Sequence, residues 1–591
     1  MPPQPAADVI FQFQQATALH KSGQIPQAQA LYEDILKKQP RHAEALYRLG
    51  VIAYQMNDHA KAAQFFSKAV KAAPEVSAFH SNLGFALQGQ ERFREAVDSF
   101  SRAVKLAPEV ARSYVNRSGA LYDLGEWDAA LLDGDKAVAL DPREPGGHYT
   151  RGNALQKLKR NEDAIASYAA VLALAPNYGA AYVNRGNALQ ELGRLEEAIA
   201  DYDRAITLTP SIAIIYANRA VAYQKLERRD EAAADFARAL TIDPTDLESK
   251  KNLFWFHFSH LKDLSLVESL SGELAALTRA RDVRKLQAMK VITDFRLLHD
   301  LEQSDYLLAE GYETEGLKEA NAVMRKLHER HEGKAGRKSS AGSKIIHLST
   351  SEVETLATYR NGTLRYGDGT TLAACLDPNR DWAAVEEQYL AASPEIVVID
   401  DFLLPEALAA LRKFCLVSTV WRTDYDANEY LGAFPEDGFV GLVHFQLAME
   451  LRARMPRIFG AHALEQLWGF KYAQRLGKGI NVHADFARVN LNFWITPDEA
   501  NLDATSGGMV IYDAPAPQDW NFLDYNFHQE KIYGFLEEKK SGSRTVPYRC
   551  NRAVLFNSNL FHKTDAIRFK EGYGNRRINI TYLFGRGLKF P

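Results

Sequence analysis

Seven prolines, Pro40, Pro74, Pro108, Pro142, Pro176, Pro210 and Pro244, stand 34 residues apart. Ala28, Ala62, Ala96, Ala130, Ala164, Ala198 and Ala232 keep the same step. Four residues after each alanine comes Tyr32, Phe66, Phe100, Gly134, Tyr168, Tyr202 or Phe236, so Gly134 is the one departure from an aromatic series. A period held over seven copies means that one supersecondary unit stacks on copies of itself. Proline cannot continue a helix, so each one marks a helix end. The small alanine suits a close crossing of two helices, and the aromatic is expected to fill the gap toward the next unit.

The pattern resembles the tetratricopeptide repeat, two antiparallel helices per unit, with repeats at 9–42 and onward in steps to 213–246. Stacking such units gives an all-α superhelix whose concave face is lined by the first helix of each repeat. The sixth position of each repeat on that helix reads Gln14, Arg48, Asn82, Asn116, Thr150, Asn184 and Asn218. A carboxamide carries both a donor and an acceptor, so a ladder of amides would pair with an extended peptide backbone whatever its side chains. This ladder is similar to the one in the repeat superhelix of O-linked N-acetylglucosamine transferase. The resemblance implies a protein or peptide partner held by Asn82, Asn116, Asn184 and Asn218. The other reading is that asparagine is simply tolerated on a solvated face. Arg117, Arg151, Arg185 and Arg219 each follow a ladder position; they are either solvated or bridge adjacent repeats.

Beyond 246 the repeat signal stops. Residues 247–330 are expected to form a helical cap and connector, with Phe254, Trp255 and Phe258 packing on the last repeat. No proline occurs from 245 to 377, and Leu317, Ala320, Met324 and Leu327 recur at helical spacing. The Gly-, Ser- and Lys-rich run at 331–344 reads as a flexible linker. His328 and His331 beside it lie on a polar stretch and are not expected to bind metal. From 345 to 591 short strand signals appear: RVNLNFWIT at 488–496, GGMVIYD at 507–513, RAVLFNSN at 552–559 and RRINITYLF at 576–584. PEIVVIDDFLLPEALAALRKF at 394–414 reads as a strand followed by a helix beginning near Pro405.

Within that second half, His483 and Asp485 are two apart, so on extended chain they project to the same side. His562 follows just past an apolar strand. Two imidazoles and one carboxylate leave a metal face open, the donor set of non-haem Fe(II) oxygenases. In RRINITYLF, Arg577, Asn579 and Thr581 face one way, and Arg576, Ile578, Ile580 and Tyr582 the other. Guanidinium is the preferred bidentate partner of a carboxylate, which points to Arg577 as an acid anchor near the metal and leaves Arg576 outside or at the strand edge. The ordered set of His-x-Asp, a distant His and an Arg on the final strand is similar to the 2-oxoglutarate- and Fe(II)-dependent dioxygenases, in their prolyl-hydroxylase-like or phytanoyl-CoA-hydroxylase-like branches. The resemblance covers about 394–591. It implies an α+β domain with a double-stranded β-helix (jelly-roll) core. It also implies Fe(II) on His483, Asp485 and His562, and 2-oxoglutarate anchored by Arg577 or, because EGYGN precedes the arginines, by Arg576. Hydroxylation using O2 would follow, with Tyr472 and Asn492 as further pocket residues.

A net charge of -4 argues against a general polyanion binder, so no nucleic acid is expected. Three scattered cysteines, Cys375, Cys415 and Cys550, form no CxxC pair and fit a reducing compartment. No apolar run is long enough for a membrane span, and the first residues lack a signal-peptide form; a cytoplasmic protein is expected. P-loop, GxSxG and HExxH patterns are absent, and His444, His462 and His528 read as ordinary core or surface residues. The chain thus reads as an oxygenase acting on a protein substrate gathered by its repeats. The alternatives are a non-catalytic interaction scaffold with a degenerate oxygenase-like domain and a small-molecule oxygenase that the repeats merely localise.

Overall fold

A computed structural model describes residues 5–332, 343–362, 364, 371–425, 430–473, 475–476 and 480–588. The chain divides into two compact units, Met1–Ser249 and Lys250–Pro591.

The first unit is a run of helix pairs, from Pro5–Lys21 with Ile25–Lys38 to Ala213–Lys225 with Arg229–Ile242. Each period proline lies two residues beyond the second helix of its pair, as Pro108 does after Phe93–Leu106. That helix shows why the second helices form: Ala96, Val97, Phe100, Ala103 and Val104 recur at three-to-four spacing and are buried on one stripe. The aromatic series has a role inside its own unit. Phe66, Phe100, Tyr168 and Tyr202 lie on the first helix of their own unit, over Gly50, Gly84, Gly152 and Gly186. A Cβ added at Gly50 would stand 2.6 Å from the Phe66 ring, and one at Gly186 would stand 2.7 Å from the Tyr202 ring. Where the aromatic is missing, the glycine is missing too. Ser118 takes the glycine position and donates to Ala130 O at 2.8 Å. Gly134 lets the next helix close in, to the point that a Cβ there would be 2.9 Å from Arg151 Cα.

Among the described residues the second unit has a helical layer, two larger sheets and two two-stranded ribbons. The helices Leu264–Met289, Asp294–Ala309, Leu317–His331 and Thr350–Asn361 share one core that includes Leu286, Leu301, Met324, Leu327 and Leu356. The connector expected over 247–330 is therefore built into this unit, because its apolar stripe meets residues 345–359 rather than standing alone. Phe258 stacks edge-on against Phe445, 5.7 Å away. Of the linker expected at 331–344, residues 333–342 lie outside the described residues.

Ten strands make the two larger sheets: Ile396–Ile399 (β1), Thr423–Tyr425 (β2), Tyr430–Ala433 (β3), Leu464–Tyr472 (β4), Ala487–Trp494 (β5), Met509–Pro515 (β6), Ser543–Val546 (β7), Ala553–Asn557 (β8), Leu560–Thr564 (β9) and Ile578–Arg586 (β10). Seven form an antiparallel sheet in the order β1-β8-β5-β10-β4-β3-β2, and three form a second in the order β7-β6-β9. Alternation along β5 sorts its side chains. Phe493 packs on Phe402 and Tyr582, and Tyr582 donates to His444 O on the helix Leu442–Arg454. Asn490 and Asn492 point the opposite way, into the space that His562 of β9 also lines. Strand β4, which the sequence reading did not anticipate, is a central member of the large sheet and pairs with β10 from Ile578↔Lys471 onward.

Candidate metal centre

His483 and His562 meet because their backbones form an antiparallel bridge, His483 N donating to His562 O at 3.0 Å and His562 N to His483 O at 2.8 Å. Their rings consequently lie side by side, 4.3 Å between centroids. Asp485, two residues on, is fixed by its own N–H to Ser558 O at 3.0 Å and turns its carboxylate to the same point. One ligand atom from each of the three residues lies within 4.8 Å of the other two.

The hydrogen bonds around this cluster decide which atoms face inward. His483 Nδ1 is 2.8 Å from Asn481 O, and His562 Nδ1 is 3.0 Å from Leu560 O. A carbonyl only accepts, so each Nδ1 carries the proton and each Nε2 keeps a lone pair. His562 Nε2 then faces Asp485 Oδ2 at 3.4 Å, lone pair toward lone pair. Such an arrangement calls for a cation between them, and the donor set fits a divalent transition metal. Burial, reinforced by the neighbouring His562, pushes the His483 pKa down to about 4, with Asp485 opposing only in part. Burial would raise Asp485, but the neighbouring His562 and His483 and the hydrogen bond from Asn490 hold it below the usual carboxylate value. His483 is thus a neutral imidazole and Asp485 an anion at neutral pH, the forms that ligate a metal.

The cluster opens on a narrow cleft of about 40 Å³. Arg577, 2% exposed, also lines it. It donates from Nε to Gly507 O at 2.6 Å and from Nη2 to Gly508 O at 3.2 Å, and its guanidinium rides over the Tyr472 ring at 4.7 Å. The two glycines have a reason to be glycine. Gly507 has φ +81°, and a Cβ at Gly508 would stand 1.9 Å from Val546 O. Arg576 points the other way but reaches neither solvent nor strand edge. It is buried, and its Nε donates to Glu302 at 2.7 Å on the helix Asp294–Ala309. Only Arg577 of the pair lines the cleft, together with Tyr472 and Asn492; Asn492 donates to Thr581 Oγ1 at 2.9 Å. Sequence reasoning missed Asn490, which donates to Asp485 Oδ2 at 2.7 Å. It also missed Trp468 and Phe470, which line the cleft beside Tyr472. The alternation of polar Asn490 and Asn492 among apolar residues was the available signal for the first.

The ladder asparagines are less free than expected. Asn82 donates to Tyr47 OH at 3.2 Å, Asn184 to Tyr149 OH at 3.1 Å and Asn153 Oδ1 at 3.0 Å, and Asn218 to Asn187 Oδ1 at 2.9 Å. Each of these partners belongs to the preceding repeat, so the three amide groups tie repeat to repeat. Asn116 is half-buried. Two of the arginines, Arg151 and Arg219, bridge adjacent repeats, and most also pair within their own repeat, which the sequence did not suggest. Arg117, Arg185 and Arg219 grip Asp133, Asp201 and Asp235 of their own repeats, and Arg151 reaches back to Asp135 at 2.6 Å.

Models described as tetratricopeptide repeat match residues 13–77, 82–145, 145–178 and 213–246, and one described as TPR repeat matches 186–227. The N-terminal unit is an array of tetratricopeptide repeats. YrrB, a TPR protein with an unusual peptide-binding site, is similar at 22% identity over 31% of this chain and 95% of that chain, with a TM-score of 0.27. TTC0263, a thermophilic TPR protein in Thermus thermophilus, is similar at 26% identity over 30% and 97%, with a TM-score of 0.27. The APC/C hetero-tetramer Cut9-Hcn1 is similar at 18% identity, with a TM-score of 0.36; the match covers 40% of this chain and 47% of that one. No curated protein matches the chain. Among the described residues no helix is long and apolar enough to cross a membrane.

Proposed function

We propose that the C-terminal unit is an Fe(II)- and 2-oxoglutarate-dependent dioxygenase, a hydroxylase of a protein or peptide, and that its two larger sheets are a double-stranded β-helix. The observation that carries the reading is the convergence of two imidazole Nε2 atoms and one carboxylate in a cleft that a buried guanidinium also lines. His483, Asp485 and His562 would hold the metal, and Arg577 would pair with the far carboxylate of the cosubstrate. When bound, Fe(II) with 2-oxoglutarate and O2 supplies the oxidising power to hydroxylate a C–H bond, with release of succinate and carbon dioxide. The chain supplies orientation. The carbonyls of Asn481 and Leu560 set the imidazole tautomers, Asn490 aims the carboxylate, and the Gly507 and Gly508 carbonyls with the Tyr472 ring fix the guanidinium. Burial of Asp485 and Arg577 keeps water from competing for these contacts. The repeat array supports a polypeptide substrate, since stacked repeats present a long open face rather than an enclosed pocket.

Anaerobic titration with Fe(II), followed by turnover of 2-oxoglutarate to succinate, tests the reading. Wild type is expected to bind one metal ion and form succinate. H483A and D485A are expected to lose both. Equal turnover in these variants would dismiss the site assignment.

A further inference from the structure

His483 and Asp485 do not sit on a strand. They belong to residues 480–486, ahead of β5, whose one ladder contact among the described residues is the bridge between His483 and His562. Extended chain presents its backbone groups alternately to its two edges, and each edge needs partners. On one edge His483 exchanges two bonds with His562, and Asp485 N donates to Ser558 O. Along the other edge no strand pairs with the segment among the described residues.

That edge is covered by the connection between β6 and β7, which carries the helices Phe522–Asn526 and Gln529–Glu538. Ala484 N donates to Tyr525 O at 3.0 Å, Asn526 Nδ2 donates to Ala484 O at 3.1 Å, and Gln529 Nε2 donates to Val482 O at 2.8 Å. A side-chain carboxamide carries the same kind of donor as a peptide group. Asn526 and Gln529 therefore give Val482 and Ala484 what the N–H groups of a neighbouring strand would give. The connection also grips these two residues by their side chains. Val482 and Ala484 are fully buried and share one core with Tyr525, Ile532 and Leu536. Alternate side chains of extended chain point to opposite faces. Holding Val482 and Ala484 in that core turns His483 and Asp485 to the other face, where the ligand atoms converge. A slip of one residue would put an aliphatic side chain where an imidazole belongs. The join of the two helices is itself braced, since Asp524 pairs with His528 at 3.1 Å and with Lys531 at 2.9 Å.

We infer that Asn526 and Gln529 are positioning residues of the metal centre, serving as a substitute strand that holds the His483–Asp485 step in register. The inference rests on the metal reading above. Neither residue lines the cleft; each acts through the backbone beside His483. Outer partners of metal ligands are worth about 10–100-fold in affinity, and these act from further out, so loss of either donor is expected to cost about tenfold.

The test titrates the full-length protein with Mn(II) under nitrogen and reads free Mn(II) by electron paramagnetic resonance. Q529M and N526L keep side-chain bulk and remove the donor, and each is expected to bind Mn(II) about tenfold more weakly than wild type. Q529K keeps an N–H donor and is expected to bind as wild type does, a rescue that a purely space-filling role at this position would not produce. Wild-type affinity in both Q529M and N526L, or Q529K as weak as Q529M, overturns the inference. Hydrogen exchange of the metal-free protein separates it from the metal reading. If wild type binds no Mn(II), the metal reading fails. Faster exchange of the Ala484 amide in Q529M and N526L would then still support the substitute strand, and unchanged exchange would overturn it.

Discussion

Asn490 shows how much of a site rests on a residue that touches no reacting atom. Its amide holds Asp485 Oδ2 at 2.7 Å, and such an outer partner fixes the carboxylate's orientation. N490L is expected to weaken Mn(II) binding about 10–100-fold by calorimetric titration; unchanged affinity would mean that Asp485 is oriented by its backbone alone. His483 and Asp485 could be picked out from their spacing, because extended chain puts alternate side chains on one side. His562 needed only its place after an apolar strand. Asn490 could not be assigned in the same way, since its role exists only once the chain brings it beside Asp485. The choice between Arg576 and Arg577 was likewise settled by partners distant in sequence, Glu302 for one and Gly507 and Gly508 for the other.

At the scale of an element, the fourth repeat carries a compensating pair. Ser118 replaces the usual glycine and Gly134 replaces the usual aromatic, and the space so released is taken by the neighbouring helix rather than left empty. A methyl at Gly134 would meet the Arg151 backbone, which cannot step aside as a flexible side chain would. G134A is expected to destabilise the array by about 1–3 kcal/mol, the range for overpacking. Gly119 lies in the helix Ala111–Leu124, and a Cβ there would meet nothing within 4 Å. G119A gains helix propensity without a clash and is expected to stabilise by up to about 1 kcal/mol. Urea denaturation of the two variants side by side checks both signs; two shifts of the same sign would refute the packing argument. The helix pairs were readable from periodicity because each contact repeats at a fixed offset. The direction of the aromatic was not, since a ring at that offset suits either its own unit or the next.

For the molecule as a whole, pH reports on how the helical layer and the sheets of the second unit hold together. The turn Pro435–Asp437 lies against the helix Leu264–Met289, where Ser271 Oγ donates to Pro435 O at 2.7 Å. Burial, with Glu436 beside it, pushes the Asp437 carboxyl up to about 7. The folded state therefore holds that proton more tightly than the unfolded chain, whose carboxyl titrates near about 4. Stability contributed by the neutral carboxyl is present at low pH and is lost as pH rises from about 4 to about 7. D437N should raise the melting temperature more at pH 8 than at pH 5. A gain of equal size at both, followed by circular dichroism, would show that the carboxyl is not strained by its surroundings.

What could be known from the order of residues was whatever recurs locally: the 34-residue helix pairs, the alternation that marks strands, and the His-x-Asp step that puts two ligands on one side. These follow from bond geometry and need no knowledge of distant neighbours. The three-dimensional arrangement was required wherever two remote stretches meet. It joined the expected connector to the second unit's core, placed β4 in the middle of the large sheet, turned Arg576 away from the cleft, and tied the ladder amides to the repeats before them. Side-chain partners separated by tens to hundreds of residues leave no periodic trace, so packing alone selects them.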